Sequence, residues 1–356
     1  MRSTEVAALL ALIGAGAALG QPESQEHVPA ETYTRPAERF AVDGQRRLNL
    51  FCIGDGTPAI VFISGAWDNT MAWRRVQGPA SHLSRACSYD RAGLGFSDPA
   101  TRPSTALNAV DDLKNLLDTA KVETPVVLVG HSAGGVYAMI FTALYPDRVA
   151  GLVLVDPSDP EANNNFALSG HHPANFVEGT LREIETNHER LRHCVDLARD
   201  GALTPANTDP YCLMTEADPV LKAELDRQHV RLQTKEVILS EMISQNALVE
   251  GAYSLNELQY REAIGDGSFG QLPLILLRRG TRLKHPALPQ EIFDKNEAIL
   301  LADHERMAAY STIGAVRAIP NSGHHIQLDQ PAAVIAAIEE VVAAVSKRAP
   351  YESLGR

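Results

Sequence analysis

The sequence predicts an α/β fold: one mostly parallel sheet, doubly wound by helices, with a helical insertion. Three observations carry that prediction. Short, continuous apolar runs such as Ala59-Ile60-Val61-Phe62-Ile63 are the mark of strands buried on both faces. They alternate with helical periodicities in a βαβαβ rhythm, which calls for parallel strands with helices on both sides. The rhythm then stops for about 110 residues and resumes, too long a break for an ordinary loop.

The elements follow in order. Met1–Glu5 is a short polar lead, Val6–Leu19 is apolar or small throughout, and Ala18-Leu19-Gly20 precedes a polar run. That is the pattern of a secretory signal peptide over residues 1–20. Residues 21–36 carry three prolines and read as a flexible lead. A first part of the α/β core is expected over 37–156. It opens with a hairpin, Arg39–Val42 and Arg47–Ile53, joined by a turn at Asp43-Gly44. After the strand at Ala59–Ile63, Thr70–Leu83 has helical spacing and Ala86–Tyr89 reads as a strand. Ala106–Ala120 places Leu107, Val110, Leu113, Leu116 and Leu117 on one helical face. Strand Val126–Val129, helix Ala133–Tyr145 and strand Val149–Val155 complete this part. Residues 157–270 show helical patterns without a strong strand, and form the expected helical cap insertion. The second part of the core, 271–348, holds strand Leu272–Leu277, a helical stretch Gln290–Ser311, strand Ala315–Ile319 and helix Ala332–Val345. Asp329, Gln330 and Pro331 suit the cap and first turn of that last helix.

Bulk properties narrow the function classes. The chain has 356 residues and a net charge of −12, which makes nucleic acid an unfavourable partner. No segment after the signal is long and apolar enough to span a bilayer, so no stable membrane insertion is expected after signal cleavage. A secreted or periplasmic location follows. In that setting the four cysteines, Cys52, Cys87, Cys194 and Cys212, predict two disulfides, with three connectivities open.

The chemistry concentrates at Val126–Gly135, where a buried strand runs into Gly130-His131-Ser132-Ala133-Gly134 and a helix follows at once. Gly-x-Ser-x-Gly in that setting is a nucleophile elbow. The tight turn lifts the serine hydroxyl above the sheet. The glycines remove side chains that would collide across the turn. The helix N-terminus offers N–H groups to a developing oxyanion.

With this segment the chain resembles the α/β-hydrolase family, and further pieces match it. Ile60–Ile63 followed by Ser64-Gly65-Ala66-Trp67 is similar to the strand and loop that carry the family's second oxyanion donor. Tyr89-Asp90-Arg91-Ala92-Gly93-Leu94-Gly95-Phe96-Ser97-Asp98 is similar to its D-x-R-G-x-G-x-S turn, and Val316–Pro320 with Asn321-Ser322-Gly323-His324 to its last strand and histidine loop. The likeness covers nearly all of the chain between the leader and the C-terminus, outside the insertion. It is greatest to exported bacterial members with paired cysteines, which implies the pairs Cys52–Cys87 and Cys194–Cys212. One departure is Ser64-Gly65, where many relatives have His-Gly.

The resemblance implies a serine hydrolase with the chain order Ser, acid, His. Ser132 is the nucleophile. His324, directly after Gly323, is the base, with His325 as the fallback. The backbone N–H groups of Ala66 and Ala133 are the oxyanion donors, with Trp67 as the substitute for Ala66. The acid is the least determined member, because Gly280–Pro286, its usual place, contains no carboxylate. Asp156, at the end of Val149–Val155, is preferred; Asp159, Asp294 and Asp303 are the alternatives. Asp90, Arg91 and Ser97 are expected to brace a turn, His131 and Tyr137 to pack, and Glu178, Glu183, Glu185 and Glu189 to form a solvated helix face. The expected reaction is acyl transfer on a carboxylic ester of a small or medium-sized molecule, with no cofactor. No metal is expected: His324 and His325 are adjacent, but no carboxylate or cysteine stands near them at ligand spacing. An amidase or aminopeptidase on the same triad, or a non-catalytic ligand-binding homologue, remains the alternative. The oligomeric state is open.

Overall fold

A central eight-stranded sheet organises the computed structural model, which describes residues 28–161, 173–206, 209–249, 253–281, 284 and 288–352. The expected signal peptide lies outside the described residues. Strands β1 (Glu38–Ala41), β2 (Arg47–Ile53), β3 (Ile60–Ile63), β4 (Ala86–Tyr89), β5 (Val126–His131), β6 (Val149–Val155), β9 (Leu274–Arg279) and β10 (Ala315–Ile319) make up the sheet. A two-stranded ribbon, β7 (Leu248–Val249) and β8 (Tyr253–Ser254), lies within the insertion. The sheet order is β1-β2-β4-β3-β5-β6-β9-β10. The β1–β2 and β2–β4 pairs are antiparallel and the rest are parallel.

The helices are α1 (Gln77–Ala80), α2 (Ala106–Thr119), α3 (Ala133–Leu144), α4 (Ala174–Arg199), α5 (Pro219–His229), α6 (Leu232–Asn246), α7 (Leu255–Ile264), α8 (Gln290–Ala309), α9 (Ile326–Asp329) and α10 (Pro331–Glu352). Successive side chains of a strand point to opposite faces, and both faces of this sheet are apolar. Val61, Ile63, Leu128, Leu152, Leu154, Leu274 and Leu276 pack on one side with α2 and α3. Ile60, Phe62, Val127, Val129, Val153, Val155, Ile275 and Leu277 pack on the other with Val334, Ala337, Ile338 and Val341 of α10. This two-sided burial is why the strands read as unbroken apolar runs.

Several expectations need correction. The helical spacing over Thr70–Leu83 resolves into a 3-10 turn, Thr70–Trp73, and the single-turn α1. Pro79 has no N–H to continue an i→i−4 ladder through that stretch. The lead expected to be flexible over 21–36 holds a 3-10 turn at Ala30–Thr34, and its Tyr33 is buried against Met71, Leu221 and Leu225. The final helix starts at Pro331, the expected first-turn residue, whose missing N–H costs nothing there.

Helices α4–α7 lie between β6 and β9 in the chain. Polar contacts fasten them to the core. Asn69 Nδ2 donates to Gln228 of α5 (2.9 Å), Ser104 N to Ser240 Oγ of α6 (2.9 Å), and Ala106 N and Leu107 N to Asn256 and Gln259 of α7 (2.8 and 2.9 Å). The last two contacts satisfy first-turn N–H groups of α2 that its own ladder leaves free. Glu178, Glu183, Glu185 and Glu189 are exposed along α4. Cys52 is bonded to Cys87 across the β2–β4 register, and Cys194 of α4 to Cys212. Among the described residues, no helix is long and apolar enough to cross a membrane.

Candidate active site

Ser132 is the single residue between β5 and α3. It holds φ 53° and ψ −123°, a left-handed conformation that costs a residue with a side chain roughly 1–3 kcal/mol. Two glycines let the turn close. A Cβ on Gly134 would stand 2.2 Å from the Ile63 carbonyl oxygen, and one on Gly130 would stand 2.4 Å from the Gly134 oxygen. Ser132 N–H donates to the Val155 carbonyl (3.1 Å), and its own carbonyl accepts from Gly135 and Ser158 N–H (2.9 and 3.1 Å). Its Oγ lies 3.2 Å from Ser158 Oγ and faces a cavity of about 360 Å³.

Asp156 follows β6 as Ser132 follows β5. His131 and Val155 are register partners of these parallel strands, so both residues emerge at one sheet edge. Asp156 also has a positive φ, 40°. Its N–H donates to the Leu277 carbonyl (2.7 Å), and its Oδ1 accepts from Arg279 N–H (3.0 Å). Oδ2 stands 2.6 Å from His324 Nδ1 and 3.2 Å from Arg279 Nη1. Burial pushes this carboxyl up. The His324 hydrogen bond, the Arg279 guanidinium and the Arg279 N–H outweigh burial, and hold it below the usual carboxylate range. A carboxylate only accepts, so Nδ1 of His324 carries the proton and Nε2 keeps a lone pair. Ser132, Asp156 and His324 all line the same cavity.

The other acids lie elsewhere or differ in partner. Asp159 lines the cavity, Asp294 accepts from Gln290 (2.8 Å), and Asp303 pairs with Arg306 (2.9 Å). His325 faces Asp68 at 3.8 Å.

Ala133 is the first residue of α3 and lines the cavity, so its N–H is at the helix terminus beside Ser132. The Ser64–Trp67 loop packs against the elbow: a Cβ on Gly65 would lie 3.2 Å from Ser132 Cβ. Trp67 N–H is committed to Glu241 Oε2 (2.6 Å). Trp67 N–H, the substitute considered for Ala66, is therefore already engaged. Ser64 accepts from Trp73 Nε1 (3.0 Å) and donates to the Asn69 carbonyl (2.8 Å). It serves the loop's own shape.

Arg91 and Glu241 clamp this loop. Arg91 donates to the Ser64 and Gly65 carbonyls (2.7 and 2.6 Å) and to Glu241 Oε1 (2.7 Å). Both side chains are buried. Glu241 belongs to α6 of the insertion, so the insertion reaches the Ser64–Trp67 loop directly. No local pattern marked it, because it lies 150 residues from Arg91. Asp90 braces the neighbouring turn as expected, accepting from Thr70 and Phe96 N–H (2.8 and 2.9 Å). Ser97 Oγ donates to the Asp90 carbonyl (2.6 Å).

His131 and Tyr137 are buried. His131 does more than pack: its Nε2 lies 3.0 Å from the His324 carbonyl oxygen, and its ring lies against that of His324, tilted by 47° with centroids 4.7 Å apart. Burial, with the neighbouring His324, pushes it down to about 3, so it is neutral at physiological pH. Gln245, Asn246, Ser254, Asn256 and Glu257 of the insertion, with Leu300 of α8, complete the cavity wall.

Residues 60–337 match the model of the alpha/beta hydrolase family, and the chain belongs to that family. It is 34% identical over 179 residues to Lipase LipV of Mycobacterium tuberculosis, covering 50% of this chain and 59% of LipV. It is 42% identical over 104 residues to an uncharacterized Schizosaccharomyces pombe protein, of which it spans only 19%. Among solved structures, a thermophilic esterase from Thermogutta terrifontis superposes with a TM-score of 0.56 at 20% identity, over 87% of this chain and 99% of that one. The haloalkane dehalogenase DatA from Agrobacterium tumefaciens reaches 0.64 at 16% identity, over 89% and 100%. These structural likenesses establish the fold.

Proposed function

We propose that the protein is an exported serine hydrolase that cleaves a carboxylic ester of a small or medium-sized molecule by acyl transfer. The Asp156–His324 contact of 2.6 Å, on the wall of the cavity that Ser132 faces, is the observation that carries this reading. In the cycle, His324 Nε2 takes the proton of Ser132 as its Oγ attacks the ester carbonyl. The N–H groups of Ala133 and Ala66 hold the oxyanion, and one such donor contributes roughly 3–4 kcal/mol. Asp156 keeps the imidazole in the required tautomer and stabilises the imidazolium. His324 then protonates the leaving alcohol. Water, activated by the same histidine, attacks the acyl-enzyme and releases the acid.

A cavity near 360 Å³ suits a small or medium-sized substrate. Asn246, Asn256 and Leu300 on its wall would choose among substrates. A serine at the elbow argues against dehalogenase chemistry, for which relatives of this fold carry aspartate at that position. The two disulfides and the leader pattern at residues 1–20 support export. The test is turnover of short p-nitrophenyl esters by the chain from Gln21. Turnover that Ser132→Ala abolishes supports the reading. Folded wild-type protein without turnover, or Ser132→Ala with undiminished turnover, overturns it.

A further inference from the structure

Asp68, His131 and His325 come from three separate elements: the loop after β3, the end of β5 and the turn before α9. One ligand atom of each lies within 4.8 Å of the others. We propose that these three side chains bind one divalent transition-metal ion of the zinc class.

His131 carries the inference. It is 1% exposed, and its Nε2 faces the His324 carbonyl oxygen at 3.0 Å. A carbonyl only accepts, so Nε2 bears the proton and Nδ1 keeps its lone pair. Among the described residues, Nδ1 has no hydrogen-bond partner. It looks instead at Asp68 Oδ2, 3.8 Å away, which is also electron-rich. Two facing lone pairs in a buried place call for a cation between them. His325 Nε2, 3.8 Å from the same Oδ2, supplies the third donor. Neutral imidazole nitrogen and carboxylate oxygen are the ligand types zinc takes, and three protein ligands leave a fourth position for water. The Nε2–H bond from His131 to a backbone carbonyl is the outer contact that orients a metal-binding histidine. Gly65 keeps Nδ1 uncovered, since a Cβ there would stand 2.9 Å from it.

The dimensions are close to those required. Bonds to zinc of about 2.0–2.2 Å in a tetrahedron set ligand atoms about 3.4 Å apart. The two gaps of 3.8 Å close with shifts of a few tenths of an ångström, and the remaining separation between the two histidines, at most 4.8 Å, closes by a larger movement of the half-exposed His325. Side-chain exposures of 46% for His325 and 14% for Asp68 provide both that freedom and a route from solvent.

The test reads binding, not hydrolysis, and so stands apart from the proposed activity. The chain from Gln21, dialysed against EDTA, is titrated with Zn²⁺ by calorimetry and with Co²⁺ by visible ligand-field absorption. One equivalent of Zn²⁺ per chain and a low-symmetry tetrahedral Co²⁺ spectrum are expected. Asp68→Asn and His325→Ala, each on a partly exposed residue, should each weaken binding at least about tenfold. His82→Ala, on an exposed histidine outside the cluster, should leave it unchanged. Absence of stoichiometric binding, or affinity retained in both site variants, overturns the proposal.

Discussion

Ser132 and Asp156 occupy matching positions at the ends of adjacent parallel strands, and both hold a positive φ. The backbone therefore spends strain at the two residues from which the proposed chemistry starts. Asparagine tolerates the left-handed region better than most residues, so Asp156→Asn keeps the local geometry while removing the charge. We expect kcat to fall about 10⁴-fold in that variant, because the imidazole loses its preferred tautomer. Steady-state ester hydrolysis checks this. A pH-dependent stability effect should accompany it. The Asp156 carboxyl is held below its ordinary value, so its contribution is complete above the unfolded pKa of about 3.9 and is lost as pH falls through the lower folded value. The gap between wild type and Asp156→Asn, from urea midpoints, should be widest near neutrality and should narrow on acidification below about pH 4. Gly134→Ala should abolish activity, since its Cβ would strike the Ile63 carbonyl. The position of Asp156 was legible in the sequence, because a residue directly after a buried parallel strand emerges at the sheet edge. Asp159, three residues on in a loop, could not be placed by the same reasoning.

At the scale of elements, the Ser64–Trp67 loop, proposed to hold the oxyanion, is tied to α6. Glu241 takes the Trp67 N–H and pairs with Arg91, which in turn holds two loop carbonyls. Glu241→Gln should lower kcat by about 10- to 100-fold with a smaller change in KM, because a displaced loop weakens an oxyanion donor more than it weakens substrate binding. It should also cost about 3 kcal/mol in stability by leaving buried Arg91 without its counter-charge. Parallel kinetics and urea unfolding separate the two effects. The elbow helix and the apolar strands were readable because their patterns are local: period 2 or unbroken runs for strands, caps and glycines for turns. The Thr70–Leu83 stretch was misread because its apolar spacing was helical while Pro79 forbade a continuous ladder. The Arg91–Glu241 pair was unreadable, since nothing local couples residues 150 positions apart.

For the whole molecule, the two-sided sheet made the fold class legible, and the long break between β6 and β9 revealed the insertion. What folding alone brings together was hidden: the cavity wall supplied by α6, α7 and α8, and the Asp68–His131–His325 cluster. Adjacent histidines were visible at 324 and 325, but the carboxylate that faces His325 comes from residue 68. The disulfides bind the two parts separately. Cys52–Cys87 spans 35 residues within the sheet and Cys194–Cys212 spans 18 within the insertion. Loop-closure entropy gives about 4 and about 3 kcal/mol for them. Replacing Cys194 and Cys212 by serine should lower the unfolding free energy, from urea titration, by an amount near the smaller figure. The serine variant of Cys52 and Cys87 should lose slightly more.

The central claim is an activated serine at position 132 served by His324 and Asp156. A fluorophosphonate probe, applied to the chain from Gln21 produced in an oxidising compartment, tests it most directly. Intact mass and peptide mapping should find one adduct per chain, on Ser132. The adduct should be lost in His324→Ala, and its rate of formation should drop sharply in Asp156→Asn. Folded protein that takes up no probe, or labelling that His324→Ala leaves intact, would contradict the account.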